Sequence, residues 1–403
     1  MEEARKQDNQ QVLRVLEALK QASHDLHNNP LSRNKDSNSS AIKALLELQT
    51  EADNILSNDP NLLNLSSHIT NLKTLIHKLN HHKNHHSLPS FLRSKIISYE
   101  ISCVASSIET EIQAWIDRES IENLVKTLQE DCVNEDEKVK LLSQFEERVS
   151  QGFDMNLQEL ILKWKIFSFL ESILCDPKCS KRIREKSGFA IDSLVQFNKN
   201  VFVGEVLMGF TITALISIGS SSSIQVLCSL IKSIRLPLVD EIEGIDGIPK
   251  LIYLLYSQVE LSIKVITLDC IFEIAYYARK EAIQVMLQME LVEKLVELQR
   301  SELGGDLIEM DCEEDEASKG VCAGGVDKVL RRKKSCRERK FLEKHPFTSC
   351  VARFAIQIEV GEGLRHREKT SVKQEIVKRV REACFSDAEA ATIVAEVLWG
   401  SSP

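Results

Sequence analysis

Two stretches of this chain, 44 residues apart, carry one pattern. Gly247-Ile248-Pro249-Lys250-Leu251-Ile252-Tyr253-Leu254-Leu255 is echoed by Leu291-Val292-Glu293-Lys294-Leu295-Val296-Glu297-Leu298; with Ile248 laid on Val292, Lys250 falls on Lys294, Leu251 on Leu295 and Ile252 on Val296. Each stretch spaces apolar residues three and four apart, the period of a helix with one buried face. Between them lie a helical run from about Glu260 to Ala278 and a shorter one opened by Glu281-Ala282-Ile283, so the unit is three helices. Such a unit has no core of its own and buries its apolar faces only against neighbours stacked on either side. A further echo, Ile121-Glu122-Asn123-Leu124-Val125, stands 127 residues ahead of Ile248, about three units away. The pattern predicts a stacked helical array over residues 119–303.

Composition agrees with an all-α chain. Only 15 Gly and 8 Pro occur among 403 residues, while 43% are hydrophobic, so helix breakers are scarce and there is enough apolar surface to fill large cores. The net charge of −9 argues against nucleic-acid binding by the chain as a whole.

Residues 1–118 read as a four-helix bundle. Val12, Val15, Leu16, Leu19 and Leu26 mark the first apolar face; Ile42, Leu45, Leu46 and Leu56 the second; Leu62, Leu65, Ile69, Leu72, Ile76 and Leu79 a heptad-like third. Pro89 suits the first turn of a fourth helix that reaches Trp115 and Ile116. Beyond Leu303 the pattern stops. Seven acids between Asp306 and Glu316 precede a basic run from Lys328 to Lys344, which predicts a charged disordered loop over 304–345. Residues 346–403 then read as a cap of three helices, Phe347–Glu359, Thr370–Ala383 and Ser386–Trp399, the last opened by the capping box Ser386-Asp387-Ala388-Glu389. A terminal cap of this kind is expected to have the more polar outer face.

The Gly-Ile-Pro-x-Leu-Ile-x-Leu-Leu segment and the three-helix period resemble the armadillo repeat, and the layout of a helical bundle ahead of the array resembles plant armadillo proteins of the U-box group. The resemblance is clear at 247–255, weaker at 291–298, and blurred between 135 and 235; Glu290 stands where that family's pattern has Gly. No strand-bearing U-box with its Cys-Pro-Ile-type segment is present, since 89–150 reads as continuous helix. What the resemblance implies is an α-solenoid with Gly247–Leu255 as the groove-lining third helix. Its outward residues Lys250, Tyr253 and Ser257, with Lys294 and Glu297 in the next unit, become the candidate contacts for a protein or peptide ligand. Tyr253 is the natural anchor, having large area and a hydroxyl that stays hydrated.

Chemistry-bearing motifs are missing. No phosphate-binding glycine loop, Gly-x-Ser-x-Gly or His-Glu-x-x-His occurs, which points away from an enzyme. The cluster His77, His81, His82, His85 and His86 has no Cys or carboxylate among it and reads as a polar turn; Cys175 and Cys179 lack a second pair at zinc spacing, so neither a metal nor another cofactor is expected. Arg331-Arg332-Lys333-Lys334 fits a nuclear localisation signal with a phosphoacceptor at Ser335, or else a solvated tract drawn to the acids upstream. Eleven Cys without close pairing, with Cys103, Cys228 and Cys270 in apolar surroundings, read as reduced core thiols. The polar start Met1-Glu2-Glu3-Ala4-Arg5 shows no signal-peptide pattern, so a cytoplasmic or nuclear location is expected. The uncharged run Val206–Ile231 is long enough for a membrane, yet Gly219 to Ser223 divides it, and two buried helices around a Ser-rich turn are expected with no membrane partner. The sequence as a whole describes a non-enzymatic interaction scaffold, with a substrate adaptor or other component of a ubiquitin-ligase pathway as the alternative.

Overall fold

The computed structural model describes residues 16–21, 23–24, 27, 63–82, 88–130, 134–257, 259–304, 342 and 344–399, and among these all regular structure is helical. The chain divides into two compact units: Met1–Val133 with Asp154–Lys165, and Asn134–Phe153 with Ile166–Pro403.

In the first unit, helices α1 (Leu63–His82) and α2 (Leu88–Gln129) pair along their length. The stripe Leu65, Ile69, Leu72, Ile76 and Leu79 meets Ile97, Ile101, Ala105, Ile108 and Ile112, and Leu16 and Leu19 from the helical residues 16–21 complete the same core. His24 Nδ1 lies 3.2 Å from Glu109 Oε1 at the edge of this contact. The expected second helix of the bundle, near 40–56, lies outside the described residues. Three expectations change. The boundary at 118 falls inside α2, which runs on to Gln129 because nothing breaks the helical pattern there. Ile121 and Leu124 are therefore buried in this unit and do not begin a repeat. Cys103 is exposed, because the buried stripe of α2 runs through Ile101 and Ala105 on either side of it.

The second unit begins with α3 (Glu135–Ser150), and Glu130 and Asn134 lie outside any helix, within the stretch that reads as continuous helix. Asn134 caps it, and the acids Glu135, Asp136 and Glu137 fill its first turn, where the helix dipole favours negative charge. Helix α4 (Met155–Lys163) belongs to the first unit; the second resumes with α5 (Ile166–Cys175). Three units of three helices follow: α6 (Lys181–Phe197), α7 (Lys199–Met208) and α8 (Thr211–Ile218); α9 (Ser221–Ile234), α10 (Leu236–Gly244) and α11 (Gly247–Tyr256); α12 (Leu261–Tyr277), α13 (Lys280–Gln288) and α14 (Leu291–Arg300). Their long first helices start at Lys181, Ser221 and Leu261, an interval of 40 residues each time. Helices α15 (Cys350–Val360), α16 (His366–Ala383) and α17 (Asp387–Trp399) close the array, within a few residues of the predicted cap.

Stacking produces two layers. The long helices α3, α6, α9, α12 and α15 each pack on the next, and the short helices α5, α8, α11 and α14 do the same behind them. The interior between the layers is dry: Leu194, Phe202, Leu227, Leu251, Leu255, Ile271, Leu295 and Phe354 are all fully buried. At about 1.5–3 kcal/mol for each such side chain, burial between units is what holds the array together.

The uncharged run holds one more break than expected. Gly209 and Phe210 separate α7 from α8, and the two helices bend by 68° there. Glu171 on α5 causes this: its Oε1 accepts from Phe210 N at 2.8 Å, Thr211 N at 2.9 Å and Thr211 Oγ1 at 2.7 Å, so it caps α8 from another helix. A Cβ on Gly209 would sit 2.3 Å from that oxygen, so only glycine admits the carboxylate. The Ser-rich turn forms as expected, with Gly219 left-handed at the end of α8 and a reciprocal Ser220–Ser223 capping box opening α9. Among the described residues no single helix is long and apolar enough to cross a membrane.

Candidate interaction surface

The expected contact residues fall on the layer of short helices, on α11 and α14. Asp246 before α11 and Glu290 before α14 share one left-handed geometry (φ 53°, ψ 37° and φ 56°, ψ 33°), so the two turns match although neither residue is glycine. The departure suspected at Glu290 is one of residue type alone. Ser349, before α15, repeats the geometry at φ 45°, ψ 32°.

Tyr253 is the most open of the five, with 68% of its surface exposed, and Lys250 is exposed beside it. Ser257 turns inward enough to donate to Tyr253 O at 2.8 Å. Lys294 is not a free cation. It is buried, its Nζ pairs with Glu297 Oε2 at 2.8 Å and lies 4.9 Å from the centre of the Tyr256 ring. Tyr256 in turn donates its hydroxyl to Glu290 O at 2.9 Å and so fastens α11 to the start of α14. Burial and the nearby Glu290, Glu293 and Glu297 push its phenol up to about 12. The sequence pattern singled out Tyr253, and Tyr256 one turn later makes the inter-repeat contact. An aromatic residue at the end of one repeat's third helix, facing the start of the third helix in the next, was the available signal.

The long-helix layer carries the second candidate surface. Its neighbours pack in sequence, and polar pairs bridge each step: Lys186–Glu146 between α6 and α3 at 3.8 Å, Gln196–Ser229 between α6 and α9 at 3.2 Å, Lys232–Glu273 between α9 and α12 at 3.3 Å, and Arg353–Asp269 between α15 and α12 at 3.4 Å. Two acids here are raised above the ordinary carboxylate range. Asp192 is pushed up to about 6, chiefly by burial, against hydrogen bonds from Ser229 and Gln196 that pull it down. Asp269 is raised by burial, with Arg353 and Lys232 opposing. None of these residues stood out in the sequence, since nothing in its own helix marks any of them until stacking sets it beside the next.

His77 is exposed on α1, which continues through His81 to His82; His85 and His86 lie outside the described residues. Cys175 and Cys179 are free thiols, with Cys179 Sγ 3.7 Å from Asp176 Oδ2, and both are raised chiefly by burial. Cys228 and Cys270 are buried and free. Arg331, Arg332, Lys333, Lys334 and Ser335 lie outside the described residues, as does most of the expected loop.

No protein-family model and no curated protein matches the chain. Among solved structures it is similar to a designed armadillo repeat protein, at 12% identity and a TM-score of 0.40, over 68% of this chain and 98% of that one. It is also similar to two engineered proteins: one at 13% identity and a TM-score of 0.43, over 70% of this chain and 95% of that one, the other at 14% and 0.41, over 96% and 98%. The three-helix stacking is a property of this chain's own geometry, seen in the 40-residue interval, the successive contacts of the long helices and the left-handed turn shared by Asp246 and Glu290.

Proposed function

We propose that the array is a non-enzymatic protein-interaction scaffold that presents its row of long helices to an extended peptide or partner segment. The observation that carries this reading is the line of polar pairs running from Glu146–Lys186 to Asp269–Arg353 across successive long helices. Surface pairs of this kind contribute about 0–1 kcal/mol each, so a ligand that supplies matching groups displaces them at little loss. The rigid packing beneath spares the protein most of the ordering cost of binding.

A second surface is favoured by the 68% exposure of Tyr253, with Lys250, Ser257 and the Lys294–Glu297 pair around it. Quantitative affinity capture from a lysate separates the two. Lys232→Glu/Arg353→Glu alters the long-helix face and Lys250→Ala/Tyr253→Ala/Glu297→Ala the other, each first shown by circular dichroism to be folded. Partners lost only with the first variant support the main reading, and partners lost only with the second move the site to α11 and α14. Equal recovery with both refutes either surface. A role as adaptor in a ubiquitin-ligase pathway is the finer alternative, favoured by the bundle-then-array layout; ubiquitin transfer by the purified chain would overturn the non-enzymatic assignment. A cytoplasmic or nuclear location completes the reading, and a fluorescent fusion with and without Arg331→Ala/Arg332→Ala/Lys333→Ala/Lys334→Ala tests it.

A further inference from the structure

The last two helices leave a trough where a terminal repeat was expected to be polar. Helices α16 and α17 are joined by the turn Cys384–Ser386, and two hollows of about 510 and 620 Å³ lie along them, meeting at Arg381. Val377, Val394 and Leu398 line the hollows, while Phe385 (85% exposed), in the turn between the two helices, and Trp399 (83% exposed), at the end of α17, stand open. Exposed aromatic and aliphatic side chains gathered at one end of an array mark a surface that is covered in use. The α16 side of the trough is basic, with six Lys and Arg against three Glu, while α17 carries Asp387, Glu389 and Glu396, of which Glu389 is paired with Arg300. Lys373 is paired with Glu359, but Lys378 and Arg381 make no ion pair among the described residues, although Glu382 and Asp387 also line the hollows.

The chain contains a complementary segment. Asp306-Leu307-Ile308-Glu309-Met310-Asp311-Cys312-Glu313-Glu314-Asp315-Glu316 holds seven acids and no base, with Leu307, Ile308 and Met310 interleaved. It leaves the array beside α17: Gly304 O accepts from Thr348 Oγ1 at 2.6 Å, and Ser349 Oγ meets Glu396 of α17 at 3.2 Å. Arg300, one turn before Gly304, already lies 3.7 Å from the Phe385 ring and pairs with Glu389 at 2.8 Å. Cys312 is eight steps along the chain from Gly304, a reach of up to about 28 Å against a length of about 20 Å for α17. The basic run from Lys328 to Lys344 has the same sign of charge as Lys378 and Arg381 and so lacks this complementarity.

We propose that the trough between α16 and α17 is a docking site for an acidic peptide bearing apolar side chains, and that its resident occupant is this chain's own Asp306–Glu316 segment. A short tether holds such a segment at an effective concentration on the order of millimolar, so weak contacts suffice to fill the site, and an outside acidic peptide must compete with it.

The test uses the full chain and a variant in which residues 306–316 are replaced by Gly and Ser, with folding checked by circular dichroism and by hydrogen exchange of α16 and α17. A labelled peptide of residues 305–317 is titrated into both. It is expected to bind the replaced chain, to bind at least tenfold more weakly after Lys378→Glu/Arg381→Glu, and to bind the intact chain at least tenfold more weakly than the replaced one. A short bismaleimide added to the intact chain is expected to join Cys312 to Cys384, which lines the trough, in preference to joining Cys336 to Cys384. No binding to the replaced chain at about 1 mM peptide, the scale of the tethered concentration, overturns the proposal. So does binding that ignores the charge reversal, or equal binding to intact and replaced chains. A concentration-dependent dimer lost with Phe385→Ser/Trp399→Ser overturns it in favour of a second copy.

Discussion

Asp192 gives the sharpest test of how stacking changes chemistry in the array. It is 8% exposed, accepts from Gln196 Nε2 at 3.0 Å on one oxygen, and has no partner on the other. Burial raises its carboxyl from the ordinary 3.8 to about 6, helped by the nearby Glu146. Because the folded chain holds this proton more tightly than the unfolded one, the ionised group opposes folding. The penalty is absent below about pH 3.8, grows as pH rises towards 6, and is complete above it. A gap of roughly two units corresponds to about 3 kcal/mol at most. Asp192→Asn preserves shape and the acceptor oxygen while removing the charge, so at pH 7 it is expected to stabilise the array by on the order of 1–3 kcal/mol. Urea denaturation of both proteins from pH 4 to pH 8 measures the difference, and hydrogen exchange of peptides from α6 and α9 places it in the right helices. The gap is expected to shrink towards zero at pH 4. A gap that does not vary with pH, or a variant weaker throughout, would refute the reasoning.

Other perturbations follow from single contacts. Glu171→Ala strips the cap from α8 and leaves two amides without their acceptor; a loss of about 1–3 kcal/mol is expected, with exchange of the α8 amides accelerated first. Gly363→Ala would place a Cβ 2.0 Å from Ala278 O and 2.4 Å from Tyr277 O, so its melting temperature is expected to fall, whereas Gly204→Ala, with nothing within 4 Å, is expected to leave it level or raise it. Leu251→Ala, at a fully buried position, is expected to cost about 2–5 kcal/mol in denaturant titration, while Lys250→Ala stays within about 0.5 kcal/mol. Glu290→Gly relieves a left-handed glutamate and is expected to stabilise by about 1 kcal/mol, with the Tyr256 hydrogen bond retained because it uses a backbone carbonyl.

Elements whose cause is local were legible. The seam from Leu65 to Leu79, the Gly219–Ser223 turn, the helix at Gly247 and the cap helices follow from residues that are neighbours in the chain, and all form as the spacing predicts. Features with distant causes were not. The α7–α8 break depends on a carboxylate 39 residues upstream of Phe210. The end of α2 was misplaced because a helical pattern running through residue 118 carries no mark of the core it serves. At the surface, Lys250 and Tyr253 are exposed as expected, but Lys294 is drawn under Tyr256 by a contact between repeats that no single-helix pattern contains. The polar pairs of the long-helix layer were invisible for the same reason, since each half sits one repeat from the other.

The left-handed turn at Asp246, Glu290 and Ser349 has a bearing on how such a chain can change over time. Three residues of different chemistry hold one backbone geometry, Asp246 and Glu290 between the second and third helices of their units and Ser349 ahead of α15, so the turn is imposed by the packing on both sides and tolerates drift in the residue itself. Ser349 follows the long insertion that begins past Gly304, at the entry to a long helix, where the uninterrupted repeats have extended backbone instead (Ser220 at φ −96°, ψ 164° and Glu260 at φ −57°, ψ 147°), yet α15 still stacks on α12. A junction of this kind is a neutral point for growth. New sequence can be spliced in there without disturbing the phase of the stack, so a repeat array acquires a charged appendage while its core goes on folding as before.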